Sequence, residues 1–462
     1  MSTLQCLSPV DGSLYVERPL ASQTEIRKAL DSALRAQSLW KNTPLDERVS
    51  LVRKAVAIFT SHRDELGPEL TWMMGRPVRF VGGEIQGFAE RAHFMAEIAE
   101  AALADIHVAE KEGFERFIRR EPLGISLVIA PWNYPYLTAV NAVVPALLAG
   151  NAVLLKPSAQ TPLCAERIAE AFTEAGLPRG VLQYLHLSHG NTERLISAPE
   201  VDHVAFTGSV PGGAMVERAA VGQFKHIGLE LGGKDPAYIR EDADLEASVA
   251  SVIDGAFFNS GQSCCAIERL YVHESRFDDF LRLAVPLINE YRLGRPDDPE
   301  TTLGPLVRTA AADFVRGQVD EALSAGARAH IDPLAFPADR PGTPYLAPQL
   351  LTEVNHEMRV MREESFGPVL GVQPVRDDEE AIALMNDSAF GLTAAIYSDD
   401  IEAASTIGDR LQTGTVFLNR CDYLDPALAW TGVKNSGRGC TLSSVGYEHL
   451  TRPKSFHLKK KP

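Results

Sequence analysis

The chain has 462 residues, of which 45% are hydrophobic and 23% are charged. This length suffices for two or three domains with sizeable cores, and the composition shows no sign of disorder. The formal charge of −16 argues against nucleic acid and anionic membranes as partners, because like charges repel. We therefore expect a globular protein that binds neither nucleic acid nor a membrane surface.

The N-terminal segment and the use of cysteine indicate the cellular compartment of the protein. Residues 1–11 lack the charged and apolar regions of a signal peptide, and no apolar run reaches membrane-spanning length. Six cysteines are spread over the chain, and only Cys264 and Cys265 are adjacent. Such sparse usage favours a reducing cytoplasm over a disulfide framework. Cysteines and histidines nowhere show the spacing of a zinc site, so no metal is predicted.

The first three elements that the sequence predicts are helices. Apolar residues recur at three- and four-residue steps in residues 22–40, 45–61 and 81–104. We expect these helices to precede the first strand of the fold. Residues 117–130 then indicate an exposed strand, whose pairing Pro122 limits, followed by a buried strand.

Strands and helices then alternate in two blocks, which Gly232-Gly233 is expected to separate. Alternation of this kind predicts right-handed crossovers and mostly parallel sheets, an α/β fold. The tail at 445–459 is expected to be extended. The first block predicts strands at 152–156, 181–186, 201–206 and 225–231 and helices at 162–175, 191–196 and 212–220. The second block predicts helices at 243–258, 276–291, 310–325 and 379–387 and strands at 269–273, 369–375, 392–397 and 415–418.

Polar turns follow three strands of the first block, at the carboxyl ends where open α/β sheets bind ligands. The turn at 131–135, PWNYP, holds an amide at Asn133, and Lys156 places an ammonium at the next strand end. The glycine turn at 207–213 opens a helix with a hydroxyl at Ser209, which suits a phosphate group. Each turn has a purely structural alternative.

A carboxylate and a thiol are the candidate reactive groups. Glu230 ends an apolar strand, where burial would raise its pKa and suit a general base. Its alternative is a capping or surface glutamate. Cys264 follows a Gly-Gln pair that can turn the chain sharply and present the thiol. The alternative is a pair of buried cysteines that pack as small hydrophobes. Glu364 lies beside an aromatic residue in a further turn.

The motifs taken together resemble the NAD(P)-dependent aldehyde dehydrogenase superfamily. PWNYP, KPS, FTGS, ELGGK, GQSC and EESFGP follow one another in that order, before Asn419 and a KNSG tail. The resemblance implies a Rossmann-like cofactor domain, an α/β catalytic domain and a small oligomerisation β-extension. It assigns 1–104 and 124–232 to the cofactor domain, 233–436 to the catalytic domain, and 105–123 and 437–462 to oligomerisation. A homodimer or homotetramer is implied.

The resemblance also assigns roles to residues. Cys264 matches the nucleophile, Glu230 the general base, and Asn133 the amide that stabilises the oxyanion together with the backbone N–H of Cys264. The implied cofactor is NAD or NADP, and the implied substrate is a small aldehyde. The residues matched to cofactor binding are Trp132, Lys156, Ser158, Gly208, Ser209, Gly213, Leu231, Glu364 and Phe366. The substrate tunnel is expected at Tyr134, Asn141, Ser263, Cys265, Leu424 and Trp430.

The implied reaction oxidises an aldehyde to the acid through a thiohemiacetal and a thioester on Cys264, and Glu230 activates the hydrolytic water. Ala159 replaces a glutamate common in NAD-using relatives, so NADP is expected to be tolerated. Asn141 stands where semialdehyde enzymes place an arginine, for which Arg420 is a candidate substitute. Asp235 and the altered segment at 429–437 have no sequence explanation. The alternatives are a semialdehyde dehydrogenase, a cysteine hydrolase or acyltransferase without nucleotide, and a non-catalytic member of the fold.

Overall fold

A computed structural model describes residues 2–461, so the outermost residues of the predicted segments, 1 and 462, lie outside the description. Within these residues the chain forms 15 α-helices and 20 β-strands. The helices are α1 Gln23–Trp40, α2 Leu45–Ser61, α3 Arg63–Met74, α4 Val81–Leu103, α5 Pro135–Ala149, α6 Pro162–Ala175, α7 His189–Ile196, α8 Val210–Ala220, α9 Leu245–Phe257, α10 Phe277–Asn289, α11 Thr309–Ser324, α12 Arg359–Arg362, α13 Asp378–Asn386, α14 Ile401–Gly408 and α15 Ser443–Glu448.

The strands form three larger sheets and two small two-stranded pairs. They are β1 Thr3–Leu7, β2 Leu14–Pro19, β3 Ile106–His107, β4 Phe114–Pro122, β5 Ile125–Ile129, β6 Ala152–Lys156, β7 Leu182–Tyr184, β8 His203–Thr207, β9 His226–Glu230, β10 Asp235–Ile239, β11 Ile267–His273, β12 Arg328–Ala329, β13 Gln349–Thr352, β14 Val369–Val375, β15 Phe390–Gly391, β16 Thr393–Tyr397, β17 Thr415–Leu418, β18 Val433–Lys434, β19 Gly437–Arg438 and β20 Thr451–Lys459.

The first sheet has the order β19-β9-β8-β5-β6-β7 and is parallel except for β19. Alternate residues of a strand point to opposite faces, and both faces here are covered. Leu127 of β5 packs with helices α1, α7 and α8, whereas Val128 packs with α2, α4, α5 and α6. This covered parallel sheet confirms the α/β prediction.

The second sheet has the order β12-β13-β14-β11-β10-β16-β17 and is parallel except at β12. Helices α9 and α10 cover one face, and α11, α13 and α14 cover the other. The chain leaves the first sheet at Glu230 and enters the second at Asp235, so Gly232-Gly233 lies between the two sheets as expected.

Strand β10 explains Asp235. The buried carboxylate accepts hydrogen bonds from the backbone N–H and the hydroxyl of Thr393 on the neighbouring strand β16, at 3.0 and 2.6 Å. Burial raises the pKa of this carboxyl strongly, and the two bonds to Thr393 oppose that rise. Asp235 therefore joins two strands of the second sheet.

The third sheet has the order β20-β4-β3 and is antiparallel. Phe117 of β4 lies opposite Phe456 of β20, and their rings stack with centroids 4.6 Å apart. The guanidinium of Arg119 lies over both rings. The exposed strand predicted near residue 117 and the extended tail thus pair with each other, although the tail begins with the helix α15.

Some elements of the fold differ from the predictions. The hairpin of β1 and β2 precedes the helices, and α5 lies where only a stiff turn and buried core were expected. Thirteen of the 15 residues of α5 are buried, so its sequence lacks the amphipathic period that marks a surface helix. None of the helices in the described part of the chain is long and apolar enough to cross a bilayer.

Candidate active site

The Cys264 thiol lies in a loop between α9 and β11. The chain ends α9 at Phe257 and turns through Asn259, Ser260 and Gly261, all with positive φ of 53° to 71°. Such backbone is costly for residues other than glycine and clusters at functional sites. A Cβ at Gly261 would overlap the Gly367 carbonyl, which makes glycine necessary there. After this turn Cys264 is half-buried rather than sealed in the core.

Asn133 lies directly against this loop. It follows β5, its side chain is buried, and its Nδ2 donates to the carbonyl of Gln262 at 3.2 Å. Gln262 precedes the thiol by two residues, so the amide and Cys264 belong to one small region. An amide nitrogen carries two protons, and the second is free to bond an oxygen that develops beside the sulfur.

A buried ion pair fixes the turn that carries Asn133. Arg76 pairs with Glu84 and donates to the backbone carbonyl of Asn133, and its Nε donates to Asn259 Oδ1 at 3.2 Å. Glu84 also accepts from the N–H of Tyr136 at 2.8 Å, at the start of α5. The pair therefore holds the Asn133 turn against the thiol loop. Sequence analysis missed both residues, because neither belongs to a recognised motif.

Glu230 ends β9 and is held by two hydroxyls. Thr207 donates to Oε2 at 3.0 Å and Thr441 to Oε1 at 2.5 Å. Burial raises the pKa of this carboxyl, while the bonds from Thr441 and Thr207 and the charge of Arg91 lower it. Glu230 also lines a cavity of about 30 Å³, which is large enough for a water molecule.

The C-terminal segment closes over the Glu230 region. β19 pairs with β9 so that Gly437 lies opposite Glu230. The hydroxyl of Ser436 donates to the Gly232 carbonyl at 2.7 Å, and the Leu231 N–H donates to the Ser436 carbonyl. The altered segment at 429–437 thus continues into the strand that supports the carboxylate. Sequence analysis also missed Thr207 and Thr441, which lie 23 and 211 residues from Glu230.

The predicted cofactor residues gather at the carboxyl end of the first sheet. Lys156 ends β6, and burial lowers the pKa of its ammonium. Ser209 caps the N-terminus of α8 by accepting from Gly212, and its neighbour Gly208 donates its N–H to the Glu230 carbonyl. Ser158 accepts from the N–H of Gln160. Lys156 forms no ion pair with a carboxylate among residues 2–461. An exposed helix N-terminus and a lysine at the carboxyl ends of strands in one sheet suit the pyrophosphate and ribose of a dinucleotide.

The nicotinamide end of the predicted site is formed by contacts between the two sheets. Trp132 and Phe366 meet edge to face, with centroids 5.5 Å apart. Glu364 accepts from the N–H of Gly233 at 3.1 Å. Burial, and after it the charge of Glu268, raises the pKa of Glu364 to about 8. Leu231 packs so closely on Gly213 that a Cβ at that glycine would collide with it.

A second buried ion pair positions Phe366, whose φ is +51°. Glu268 accepts from the N–H groups of Ser365 and Phe366 at 2.8 and 2.9 Å. Lys234 donates to Glu268 at 2.5 Å and to the Ser365 hydroxyl at 3.1 Å. These contacts fix the aromatic ring that faces Trp132. Sequence analysis recognised Lys234 only as part of a motif and did not identify Glu268.

The predicted tunnel residues differ in their surroundings. The Cys265 thiol donates to Asp422 Oδ1 at 2.9 Å, and the Ser263 hydroxyl donates to the same oxygen at 3.2 Å. The neighbouring Cys264 thiol, burial and Asp422 together raise the pKa of Cys265. Arg76 lies over the ring of Tyr134, 4.4 Å from its centroid. Leu424 and Trp430 pack in the hydrophobic cluster that includes Cys264.

The arginine predicted to accompany Asn141 is a different one in the structure. Arg420 lies exposed over the ring of Tyr423, 4.0 Å from its centroid, so it is not the arginine that accompanies Asn141. That arginine is Arg91 of α4, whose Nη1 donates to Asn141 Oδ1 at 3.2 Å. Sequence analysis missed Arg91 because it lies 50 residues from Asn141, inside an otherwise ordinary helix.

The site thus combines a half-buried thiol and a buried carboxylate with a parallel α/β sheet of the kind that binds dinucleotides. Among residues 2–461, no group of three or more His, Cys, Asp or Glu side chains is arranged to hold a metal ion. A model of the aldehyde dehydrogenase family matches residues 1–456. The chain belongs to the aldehyde dehydrogenase family, and the predicted NAD(P)-dependent aldehyde dehydrogenase is confirmed.

Individual relatives cover nearly the whole chain. A succinate-semialdehyde dehydrogenase [NADP(+)] of Deinococcus radiodurans is 35% identical and spans 99% of this chain and 95% of its own. A betaine aldehyde dehydrogenase of Rhizobium leguminosarum bv. trifolii is 32% identical and spans 99% of this chain and 94% of its own. The crystal structure of a betaine aldehyde dehydrogenase from Staphylococcus aureus with NAD+ is similar to this chain with a TM-score of 0.93 at 29% sequence identity. The match covers 100% of this chain and 92% of that structure's chain.

Proposed function

We propose that this enzyme oxidises an aldehyde to the carboxylic acid with Cys264 as nucleophile, Glu230 as general base and Asn133 in the oxyanion hole. The observation that carries this assignment is the hydrogen bond from Asn133 to Gln262, which places the amide at the thiol loop. The intact carboxylate at Glu230 favours release of an acid by water over transfer of the acyl group to another thiol. It also argues against a non-catalytic member of the fold.

The thiolate form of Cys264 attacks the aldehyde carbon, forming a carbon–sulfur bond. The carbonyl oxygen becomes an alkoxide, which the Asn133 amide and the Cys264 backbone N–H stabilise. One such donor typically contributes about 3–4 kcal/mol to the transition state. A dinucleotide held at the cofactor site would supply the acceptor for the hydride that leaves the same carbon. Cys264 then carries the acyl group as a thioester.

Glu230 completes the turnover. Its carboxylate takes a proton from a water molecule, and the hydroxide formed attacks the thioester carbon. The carbon–sulfur bond breaks, the acid leaves and Cys264 returns as a thiolate. Glu230 then releases the proton to solvent and is ready for the next turnover. The small cavity that Glu230 lines provides room for this water. The hydroxyls of Thr207 and Thr441 keep the carboxylate oriented during the step.

The residues at the cofactor site are proposed to accept both NAD and NADP. Lys156 would hold the adenosine ribose, Glu364 the nicotinamide ribose, and Trp132 and Ser209 the pyrophosphate. Ala159 is exposed and uncharged, so it leaves room for a 2′-phosphate. The named relative from D. radiodurans uses NADP(+), and the structure from S. aureus contains NAD+. Both names support a site that tolerates either dinucleotide.

The quaternary structure and the compartment are part of the proposal. The third sheet, built from β3, β4 and β20, lies in the segments assigned to oligomerisation and supports a homodimer or homotetramer. The change of sheet between Glu230 and Asp235 supports the proposed domain limit at 232–233, whereas β19, in the segment assigned to oligomerisation, pairs with β9 of the first sheet. All six cysteines are free thiols, which supports a reducing cytoplasm.

Replacement of the thiol tests the assignment. We expect Cys264→Ala to lower aldehyde-dependent NAD(P)H formation by at least about 1,000-fold, because no other group can form the thioester. Binding of NAD(P)H, followed by its fluorescence, should persist. Cys421→Ala is the matched control, since its thiol bonds the Ser251 carbonyl and is assigned no role in the site, and it should retain most of the activity.

Two outcomes would contradict the proposal. Normal turnover by the Cys264→Ala enzyme would remove the nucleophile assignment. A wild-type enzyme that binds NAD(P)H but oxidises no neutral, anionic or cationic aldehyde would favour the non-catalytic alternative.

A further inference from the structure

A buried cation lies near the catalytic carboxylate and has no counter-ion. Arg91 lies on α4 with 8% of its surface exposed, facing α5. Its Nη1 donates to the Leu137 carbonyl at 2.8 Å and to Asn141 Oδ1 at 3.2 Å. Within residues 2–461 no carboxylate oxygen lies within ion-pair distance of this guanidinium. An unpaired buried charge is costly, so its presence calls for an explanation.

Other buried arginines of this chain are satisfied. Arg76 forms an ion pair with Glu84 and bonds two further residues. Arg269 has no carboxylate partner, but all three of its nitrogens donate to backbone carbonyls or to the hydroxyl of Tyr271. Arg91 uses one nitrogen only. Among residues 2–461, its Nε and Nη2 have no hydrogen-bond acceptor.

Asn141 supplies a second, independent donor. This side chain is 2% exposed, and its Nδ2 has no hydrogen-bond partner among the described residues. Buried polar groups are nearly always paired, so a lone donor beside a lone cation indicates a missing acceptor. Together the guanidinium and the amide present several N–H donors and one positive charge.

The pair belongs to the active site. Asn141 and Glu230 line the same cavity. The charge of Arg91 lowers the pKa of Glu230, which places the two groups within electrostatic reach of each other. The other acidic groups near Arg91 are occupied: Glu84 pairs with Arg76, and Glu90 is exposed and accepts from the Tyr423 hydroxyl. None of them neutralises the guanidinium.

We propose that Arg91 and Asn141 bind a carboxylate at the far end of the aldehyde, so that the substrate is an ω-carboxylated aldehyde, a semialdehyde. The planar guanidinium matches the two oxygens of a carboxylate, and one cation balances one negative charge. A phosphate group carries more charge than a single arginine can neutralise. The inference rests on the proposed function and specifies its substrate class.

The wild-type enzyme provides the first test. Its kcat/KM is measured for succinic semialdehyde, for the methyl ester of that compound and for betaine aldehyde, which carry a negative, a neutral and a positive end group. Hydrogen bonds to charged groups contribute enough for about a 10- to 100-fold preference for the anion over the ester. The cationic aldehyde should be the poorest of the three, because Arg91 repels it.

Variants of the chain locate the preference. Arg91→Met should raise the KM for succinic semialdehyde about 10- to 100-fold and leave kcat/KM for the ester within about 3-fold. Arg91→Lys, which retains the charge, should recover part of the loss. Arg420→Met is the matched control, since Arg420 lies exposed over Tyr423, and it should change neither substrate.

Inhibition keeps the test independent of folding, because Arg91 also supports the Leu137 carbonyl. Succinate should compete with the aldehyde in the wild-type enzyme at least 10-fold better than its diamide does. Equal inhibition by the two compounds, or equal kcat/KM for the acid and the ester, would overturn the inference and leave the proposed function intact. A preference for a phosphorylated aldehyde would also overturn it. An enzyme that oxidises none of these aldehydes would refute the proposed function itself.

Discussion

The Glu230 carboxyl experiences opposing influences on its pKa. Burial raises the pKa, so less of the carboxyl is ionised at a given pH. The hydroxyls of Thr441 and Thr207 and the positive charge of Arg91 favour the ionised form and lower the pKa. A general base works only when ionised, so the rate of thioester hydrolysis should fall as the pH drops through this pKa. The neighbours of Glu230 therefore set the acid limit of turnover.

Thr441→Val should move that limit to higher pH. Removing the hydroxyl takes away a bond that stabilises the carboxylate, so the pKa of Glu230 rises further. The measurement is the pH dependence of kcat under conditions where hydrolysis limits the rate. Thr431→Val is the control, because that hydroxyl bonds the Gly439 carbonyl and not Glu230. An unchanged or acid-shifted profile would contradict the role of Thr441.

At this scale the sequence predicts the residues that belong to recognisable motifs. Cys264, Glu230 and Asn133 are found this way because each occurs in a short, characteristic run of neighbours. Their partners are not found, because Thr441 lies 211 residues from Glu230 and Arg91 lies 50 residues from Asn141. Only the folded chain brings such pairs together. Asp235 likewise needs its partner on another strand before its burial can be understood.

Among elements, α4 and α5 do most to position the site. α4 supplies Glu84 and Arg91, and α5 begins at the Asn133 turn and carries Asn141. Glu84 bonds the N–H of Tyr136 at the N-terminal end of α5, where the helix dipole favours a negative group. The contact of these two helices thus fixes both the oxyanion turn and the proposed carboxylate site.

Arg76→Met should destabilise the protein and impair turnover. The substitution leaves Glu84 buried without its partner, which typically costs about 3–5 kcal/mol of unfolding free energy. It also frees the Asn133 turn from Asn259, so kcat should fall. Urea denaturation and steady-state kinetics measure the two effects.

The double variant Arg76→Met, Glu84→Gln is the control for the ion pair. Its loss of stability should be smaller than the sum of the two single losses, because the paired charges are removed together. Strictly additive losses would show that the pair is not coupled.

Some elements are predictable to the residue and others are not. α2, β6 and α6 have the predicted limits, because α2 is amphipathic and glycines or prolines bound the other two. α5 escapes prediction because it is apolar on nearly every side and contains Pro145. β10 begins with Asp-Pro, which ordinarily argues against a strand.

At the scale of the whole molecule, the third sheet is largely exposed to solvent. Most residues of β20 are exposed, and the sheet ends in unpaired edges at β3 and β20. Strands with free edges readily pair with another chain. This exposure is the structural basis for the proposed homo-oligomer.

Phe456→Asp should reduce the molecular mass of the enzyme in solution to that of a smaller assembly. The substitution replaces the Phe456 ring by a carboxylate, so the ring stack with Phe117 that stabilises the pairing of β20 with β4 is lost. Size-exclusion chromatography with light scattering gives the mass. Leu334→Asp is the control, since this leucine is 87% exposed and lies outside the third sheet. An equal mass for the Phe456 variant and the wild type would contradict the proposed interface.

The support of Glu230 by Thr441 and β19 has a consequence for biosynthesis. The strand that ends in Glu230 emerges from the ribosome long before the residues that secure its carboxylate. β4 similarly lacks its pairing partner until β20 has been translated, more than 300 residues later. A nascent chain that already contains Cys264 and Glu230 should therefore have no activity until β19, Thr441 and β20 have been translated.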